Sequence, residues 1–176
     1  MKKLMFTICL LVLVAPAAAL ASNPSPGAFQ AAQKACAAQR TAMTLATFKA
    51  TYGANAFGKC VSSWAHRIEQ NTTAASASCQ AQRADASFAA SHDGKTFDQF
   101  YGTGKHGKNA MGNCVSSTSQ AATAAQNAAT ISASRACRAE QKADAAGFAS
   151  HYGTGAAKAN AFGRCVSQKA KALQHP

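Results

Sequence analysis

The sequence predicts an all-α protein: a helical array or bundle of about four main helices, built from three disulfide-stapled helix-turn-helix repeats. One block of residues occurs three times, at 55–62, 109–116 and 160–167. Each block contains a cysteine and follows a Tyr-Gly pair, and a second cysteine lies upstream of each. No stretch shows the alternating apolar pattern of a β-strand. Self-similarity of this kind is typical of repeat proteins, and we place the repeats at about residues 34–64, 77–118 and 135–168.

The four main helices are expected at roughly residues 27–51, 55–92, 109–150 and 160–174. These segments are rich in alanine, a strong helix former, and the larger apolar residues near the blocks recur at i, i+3 and i+4 spacing. Short breaks are expected near Thr44, Asp85 and Asp144, because each of these capping residues stands three or four positions before a phenylalanine. Away from the repeated blocks, alanine is the main apolar residue of the long helices, so the apolar core is expected to be thin.

The ends of the helices are marked by asparagine and glycine. Asparagine opens each block, at Asn55, Asn109 and Asn160, and is expected to cap the next helix through its side-chain oxygen. The glycine of each Tyr-Gly pair is expected to end the preceding helix in the left-handed conformation; these are Gly53, Gly102 and Gly153.

Two further features concern the blocks and the length of the second repeat. A glycine in the first helical turn of each block leaves room for close approach by another backbone; these are Gly58, Gly112 and Gly163. The second repeat is longer, because residues 93–96 insert a turn and Thr96 is expected to cap a further short helix through Phe100.

Residues 1–21 have the form of a secretory signal peptide. Lys2 and Lys3 precede an apolar run, and Ala19-Leu20-Ala21 supplies a small-x-small cleavage site. The run is shorter than the roughly 20 residues that span a bilayer. The expected mature chain is therefore residues 22–176, secreted or otherwise extracytoplasmic, with no transmembrane segment after the signal is removed.

The six cysteines of the mature chain predict a disulfide framework, since an even number in an exported chain favours pairing. Pairing inside each repeat gives Cys36–Cys60, Cys79–Cys114 and Cys137–Cys165. A rival would join neighbouring repeats, for example Cys60 to Cys79. The stretch between those two reads as continuous helix, which holds its ends roughly 30 Å apart, whereas a disulfide tolerates only about 6 Å between Cα atoms. Zinc ligation is disfavoured because the short C-x-x-C type of spacing does not occur.

The repeated pattern resembles a motif of small, uncharacterised exported bacterial proteins. The pattern is a cysteine, then Ala-Asp and Phe, then Tyr-Gly-Thr, and then Asn-Ala-Phe-Gly-Lys/Arg-Cys-Val-Ser; it is clearest at residues 137–167. The first repeat departs from the pattern, because it lacks the longer loop between Tyr52 and Asn55. The resemblance covers nearly the whole mature chain and implies export and helical disulfide modules; it implies no activity.

Positive charge is the feature that indicates a partner. The chain carries 18 Lys and Arg against 6 Asp and Glu, a formal net charge of +12, and removal of Lys2 and Lys3 leaves +10. Such a protein is attracted to polyanions, here anionic envelope polymers or lipids. Nucleic acid is not specifically supported, because the few aromatic residues occupy positions that read as buried corners. The alternative is that the charge only keeps an alanine-rich surface soluble.

One loop has the composition of an anion site. Residues 102–108 match the first seven positions of a phosphate-binding G-x-x-x-x-G-K loop and then open a helix, so Lys105, Lys108 and Asn109 are candidate anion-binding residues. Asn109 replaces the Ser or Thr that binds magnesium, and no strand precedes the loop, so nucleotide hydrolysis is not expected. A solvated hinge is the alternative.

The sequence contains no recognisable catalytic or metal motif. The histidines and the matched aspartates Asp85 and Asp144 stand near predicted helix ends, where charge-dipole and capping roles are the ordinary ones. We therefore expect a non-enzymatic protein without cofactor or metal that binds polyanions or cell-envelope components. Two alternatives stay open: an exported enzyme with an unrecognised site, and a toxin-like or antimicrobial protein.

Overall fold

The computed structural model describes residues 23–174, and within them every regular element is helical. The seven α-helices are α1 Pro26–Ala42, α2 Leu45–Tyr52, α3 Ala56–Ala84, α4 Phe97–Tyr101, α5 Ala110–Ala143, α6 Ala145–Tyr152 and α7 Ala161–Ala172. A 3-10 turn lies at Phe88–Ser91. The all-α prediction is confirmed. The predicted signal peptide lies outside the described residues.

The breaks predicted near Thr44 and Asp144 are confirmed. The hydroxyl of Thr44 accepts a hydrogen bond from the Thr47 N–H and so begins α2. The carboxylate of Asp144 accepts from the Gly147 N–H and so begins α6. In both places one side chain caps the new helix directly after the old helix ends, because its oxygen satisfies an N–H group that the first helical turn leaves free.

The break predicted near Asp85 is confirmed, but the helix predicted to continue as far as residue 92 is wrong, because a 3-10 turn at Phe88–Ser91 follows the break. Helix α3 ends at Ala84, where the Asp85 carboxylate accepts hydrogen bonds from both the N–H and the hydroxyl of Ser87. This local turn competes with the helix, as aspartate side chains often do. The short helix predicted after Thr96 is present as α4, and Thr96 and Gln99 form a reciprocal capping box there.

Three disulfides staple the helices in the pairs expected from the sequence. They join Cys36 to Cys60, Cys79 to Cys114 and Cys137 to Cys165, each with its Cα atoms 6.0 Å apart. These bonds link α1 to α3, α3 to α5 and α5 to α7, the pairs of long helices that pack against each other. All six cysteines are fully buried, and the apolar side chains gather around them in three separate clusters.

A tyrosine hydrogen bond accompanies each disulfide. The hydroxyls of Tyr52, Tyr101 and Tyr152 donate to the side chains of Gln39, Gln82 and Glu140, respectively. Each acceptor stands three residues after the first cysteine of its pair, and each tyrosine ends a short helix. We call this combination of disulfide and tyrosine bond a corner. The tyrosine of each corner also packs on the phenylalanine four residues earlier, at centroid distances of 4.9–5.0 Å.

The prediction that three asparagines cap the following helices through their side chains is wrong. Asn55 and Asn109 adopt the left-handed conformation with φ of 53° and 61°, and neither side chain caps its helix. Asparagine tolerates this region better than most residues. The amide of Asn160 instead accepts from the Thr154 N–H and donates to the Thr154 hydroxyl, so it ties the loop before α7.

The predicted left-handed cap forms at none of the three corners, because Gly53 combines a positive φ with a ψ of −156°, outside that conformation. Gly53 has φ of 78°, but Gly102 and Gly153 are extended. Space explains these two glycines: a Cβ at Gly102 would lie 2.3 Å from the Asp98 carbonyl oxygen, and one at Gly153 would lie 2.5 Å from the Ala149 carbonyl oxygen. Glycine is required there by close packing of the backbone and not by its conformational range.

The long helices pack partly through polar groups, as the predicted thin core requires. Between α3 and α5, the amides of Asn71 and Gln126 exchange two hydrogen bonds of 3.2 and 3.0 Å, and Asn71 also donates to Thr123. No helix within residues 23–174 has the length and apolar character needed to cross a membrane.

The first corner generates a stability prediction. Gln39 is fully buried and Trp64 nearly so, and both bond to the Tyr52 hydroxyl. Replacement of Tyr52 by Phe leaves their polar atoms buried without a partner, so we expect a loss of about 1–3 kcal/mol in the free energy of unfolding. Urea denaturation measures it.

Tyr152→Phe is the matched control, because that hydroxyl donates to an exposed carboxylate, Glu140. Its loss is expected to stay below about 1 kcal/mol. Equal losses for the two variants would contradict the proposed difference between a buried and an exposed corner.

Candidate anion-binding groove

A groove runs between the first and third corners, where α2 and α3 face α7. It consists of two adjoining cavities of about 330 and 450 Å³ that share Thr51, Tyr52, Gly163 and Ser167. We call it the basic groove, after the four cations that line it: Lys59, Arg67, Arg164 and Lys171. The remaining polar lining consists mainly of hydroxyl and amide side chains, including Ser63, Gln70, Gln126, Thr130 and Gln174.

Helical periodicity places the cations in two rows. On α3, Lys59 and Arg67 are eight residues apart, with Ser63 between them at i+4. On α7, Arg164 and Lys171 are seven residues apart, with Ser167 between them at i+3. Residues at these spacings share one helix face. Each row is therefore roughly 10–12 Å long, and the two rows line opposite walls.

At one end of the basic groove, α7 packs closely against α2 and the two helices form its floor. A Cβ added to Gly163 would lie 2.9 Å from the carbonyl oxygen of Thr51. Real Cβ atoms do not approach an oxygen so closely, so glycine is the residue that permits this distance. Of the three glycines predicted to allow close backbone approach, Gly163 does so. A Cβ at Gly112 would meet nothing within 4 Å, and one at Gly58 would meet the Asn55 side chain.

Arg138 of α5 holds α2 against the third corner. Its guanidinium donates two hydrogen bonds to the Thr47 hydroxyl, at 3.3 and 3.1 Å, and lies 5.1 Å from the centre of the Phe162 ring. A cation over an aromatic face is attracted by the ring quadrupole. One side chain thus contacts both α2 and α7, which are far apart in sequence.

Tyr52 and Trp64 form the deepest part of the wall beside Arg67. Burial raises the pKa of the Tyr52 phenol, while the hydrogen bond from Trp64 and the positive charge of Arg67 act in the opposite direction. The phenol is therefore neutral at physiological pH. The Arg67 guanidinium lies 5.5 Å from the Trp64 ring centre, so its stem is oriented by stacking while its charge stays at the groove.

The acidic side chains lie outside the basic groove. Within residues 23–174 the ion pairs are Arg83–Asp98 and Lys169–Glu140, so the groove cations have no carboxylate partner there. Glu140 accepts from Lys169 and from the Tyr152 hydroxyl, and these contacts lower its pKa. Asp85 and Asp144 accept hydrogen bonds in local turns, and Glu69 accepts one from the Ser25 N–H.

The structure locates the loop residues Lys105, Lys108 and Asn109 at an exposed turn before α5. The backbones of Thr103 and Lys108 exchange two hydrogen bonds of 2.9 and 3.0 Å, so those two N–H groups are directed into the loop. A phosphate-binding loop directs its N–H groups at the anion. The loop is also separate from the basic groove, since none of its residues lines either cavity.

The sequence did not predict this set of cations, because Lys59 and Arg67 stand about 100 residues before Arg164 and Lys171. A signal was present: the residue before the second cysteine of the pair is Lys59 in the first repeat and Arg164 in the third, but Asn113 in the second. The first and third repeats therefore share a cation that the second lacks. What the sequence could not supply was the contact between α2 and α7 that sets these repeats face to face. Within residues 23–174 no cluster of three potential metal ligands occurs.

Comparisons with protein-family models, with curated proteins and with solved structures found no match to this chain. The function is therefore inferred from the geometry and charge of the basic groove.

Replacing Gly163 by Ala tests the contact that shapes the groove. The new methyl group would collide with the Thr51 carbonyl, so α7 must move away from α2. We expect a loss of about 1–3 kcal/mol in the free energy of unfolding, measured by thermal or urea denaturation.

Gly112→Ala is the matched control, because Gly112 occupies the same position in the second block and has open space around it. Alanine is the better helix former, so this variant should be neutral or slightly more stable. If both variants behave alike, the close approach of α7 to α2 is not a stability determinant.

Proposed function

We propose that this protein is a non-enzymatic binding protein that holds anionic polymers in the basic groove. One observation carries the proposal: four cations line a concave surface and no carboxylate within residues 23–174 pairs with them. Unpaired cations on the walls of a cleft focus the electrostatic potential and attract anionic ligands. The amide and hydroxyl groups between them can bond to the oxygens of a sugar or a phosphate.

The arrangement of the cations favours a polymer over a single small anion. Each row is roughly 10–12 Å long, which is more than one phosphate or carboxylate group can contact. A chain with regularly spaced anionic groups can engage both ends of a row at once. Effective concentration then strengthens the second contact, as it does for any linked pair of binding groups.

The proposal includes the wider architecture and location of the protein. We propose that residues 22–176 form the mature chain, that three stapled repeats supply four main helices, and that the protein works outside the cytoplasm. The three disulfides support this location, because such bonds persist in oxidising compartments. Anionic polymers of the cell envelope are the partners that such a protein would meet.

The loop with Lys105, Lys108 and Asn109 is a second candidate for anion binding. Its support is the pair of exposed lysines beside the N-terminus of the 34-residue helix α5, where the helix dipole favours negative charge. The basic groove is preferred because it is concave and carries twice as many cations.

Paired charge removals distinguish the two sites. Arg164→Gln with Lys171→Gln removes half of the groove cations at exposed positions, and we expect affinity for polyphosphate to fall about tenfold in low salt. Because counterion release scales with the number of contacts, the slope of log affinity against log salt should drop to roughly half. Isothermal titration calorimetry at several salt concentrations measures both quantities.

The control pair is Lys34→Gln with Lys142→Gln, which removes the same charge from exposed positions outside the groove. Its affinity should stay within about twofold of the wild type. Equal losses of affinity for both pairs would show that binding depends on the overall charge and not on the groove. If only Lys105→Gln with Lys108→Gln lowers the affinity, the loop before α5 is the binding site.

A further inference from the structure

A second concave surface, the apolar groove, lies beside α2 and carries both apolar and cationic side chains. Its volume is about 750 Å³, and its main side chains are Arg40, Leu45, Phe48, Lys49 and Phe57. Leu45 is 58% exposed and Phe57 is 37% exposed. The apolar groove adjoins the basic groove at Ala50 and Gly53, but the cations that line it are different.

The exposure of Phe57 is specific to the first repeat. The equivalent residue of the third repeat, Phe162, is only 4% exposed, because Arg138 and Phe148 cover it and α2 packs nearby. In the first repeat Arg40 covers the corresponding ring only in part, and the ring stays 37% exposed. Large apolar side chains in an open concave surface are typical of a binding site for an apolar group.

The charges at the apolar groove have one sign. The Arg40 guanidinium lies 5.5 Å from the centre of the Phe57 ring, and Lys49 stands one helical turn after Leu45. No carboxylate lines the surface. Asn55 and Ala56, at the N-terminus of the 29-residue helix α3, line it as well, and the positive end of that helix adds to the attraction for an anion.

We propose that the apolar groove binds a single-chain anionic amphiphile, with its acyl chain on Leu45 and Phe57 and its anionic headgroup at Arg40 and Lys49. The charge selects an anionic headgroup, and the exposed leucine and phenylalanine provide the surface that an acyl chain would cover. This site goes beyond the proposed polymer binding, since its ligand is a monomeric lipid-like molecule and most of its contact area is apolar.

Three ligands of related structure test the proposal by isothermal titration calorimetry on the oxidised protein. Dodecanoate has both chain and charge, dodecyl maltoside has the chain without the charge, and acetate has the charge without the chain. The two amphiphiles are used below their critical micelle concentrations. We expect saturable binding of dodecanoate with one molecule per protein. Dodecyl maltoside should bind about tenfold more weakly and acetate not measurably.

Leu45→Asn should weaken dodecanoate binding by about tenfold, because it removes apolar area that the acyl chain would cover. Leu173→Asn is the matched control: Leu173 is 56% exposed and lies outside the groove, so this variant should bind as the wild type does. Arg40→Gln with Lys49→Gln should weaken dodecanoate by about fivefold and leave dodecyl maltoside unchanged.

The proposal is overturned if dodecanoate shows no saturable binding, or if Leu45→Asn and Leu173→Asn bind alike. It is also overturned if only vesicles of anionic phospholipid bind, since that result would indicate attraction to a membrane surface and not a site for one chain. Polyphosphate affinity is measured on the same variants, so failure of this site is distinguishable from failure of the basic groove.

Discussion

The rest of the structure depends on the covalent corners, each of which fixes one long helix against the next. A disulfide at each corner holds two Cα atoms 6.0 Å apart, and a tyrosine hydroxyl bonds to the residue one turn beyond the first cysteine. Alanine-rich helices bury little apolar area, so contact between them is weakly favoured by packing alone. In the chain-entropy model each bridge contributes about 3–4 kcal/mol, which is large beside a typical domain stability of about 5–15 kcal/mol. The bridges therefore contribute stability that a larger apolar core contributes in other domains.

The corners also explain why the groove lies where it does. Each corner reverses the chain, so α7 comes back beside α2 although the two are more than 100 residues apart in sequence. Gly163 and Arg138 then determine the fine geometry, the first by allowing contact with the Thr51 carbonyl and the second by bonding to Thr47. Two repeats with a cation at the same position of the block face each other as a result. A set of charges that is dispersed in sequence becomes a concave surface of one sign.

Local chemistry made most of the fold predictable. The repeated block and the caps at Thr44, Thr96 and Asp144 indicated the helices and the breaks, because these depend on residues close in sequence. The disulfides join cysteines 24–35 residues apart and were indicated by the repeat itself. The errors arose from packing contacts that the residue pattern does not reveal, some of them local and some long-range. Gly102 and Gly153 looked like conformational glycines, but neighbouring carbonyl oxygens and side chains require them. The basic groove was not predicted, since Arg67 and Lys171 meet only after two corners have reversed the chain.

The central claim is that the corners assemble a specific anion site from the first and third repeats. Titration of the ¹⁵N-labelled, oxidised protein with polyphosphate, followed by amide chemical shifts, tests this claim most directly because it reports position without any substitution. We expect the largest shifts in two segments, residues 59–70 of α3 and residues 163–174 in and directly after α7, and we expect them to saturate together. Shifts confined to residues 103–109, or spread evenly over all the basic residues, would contradict it.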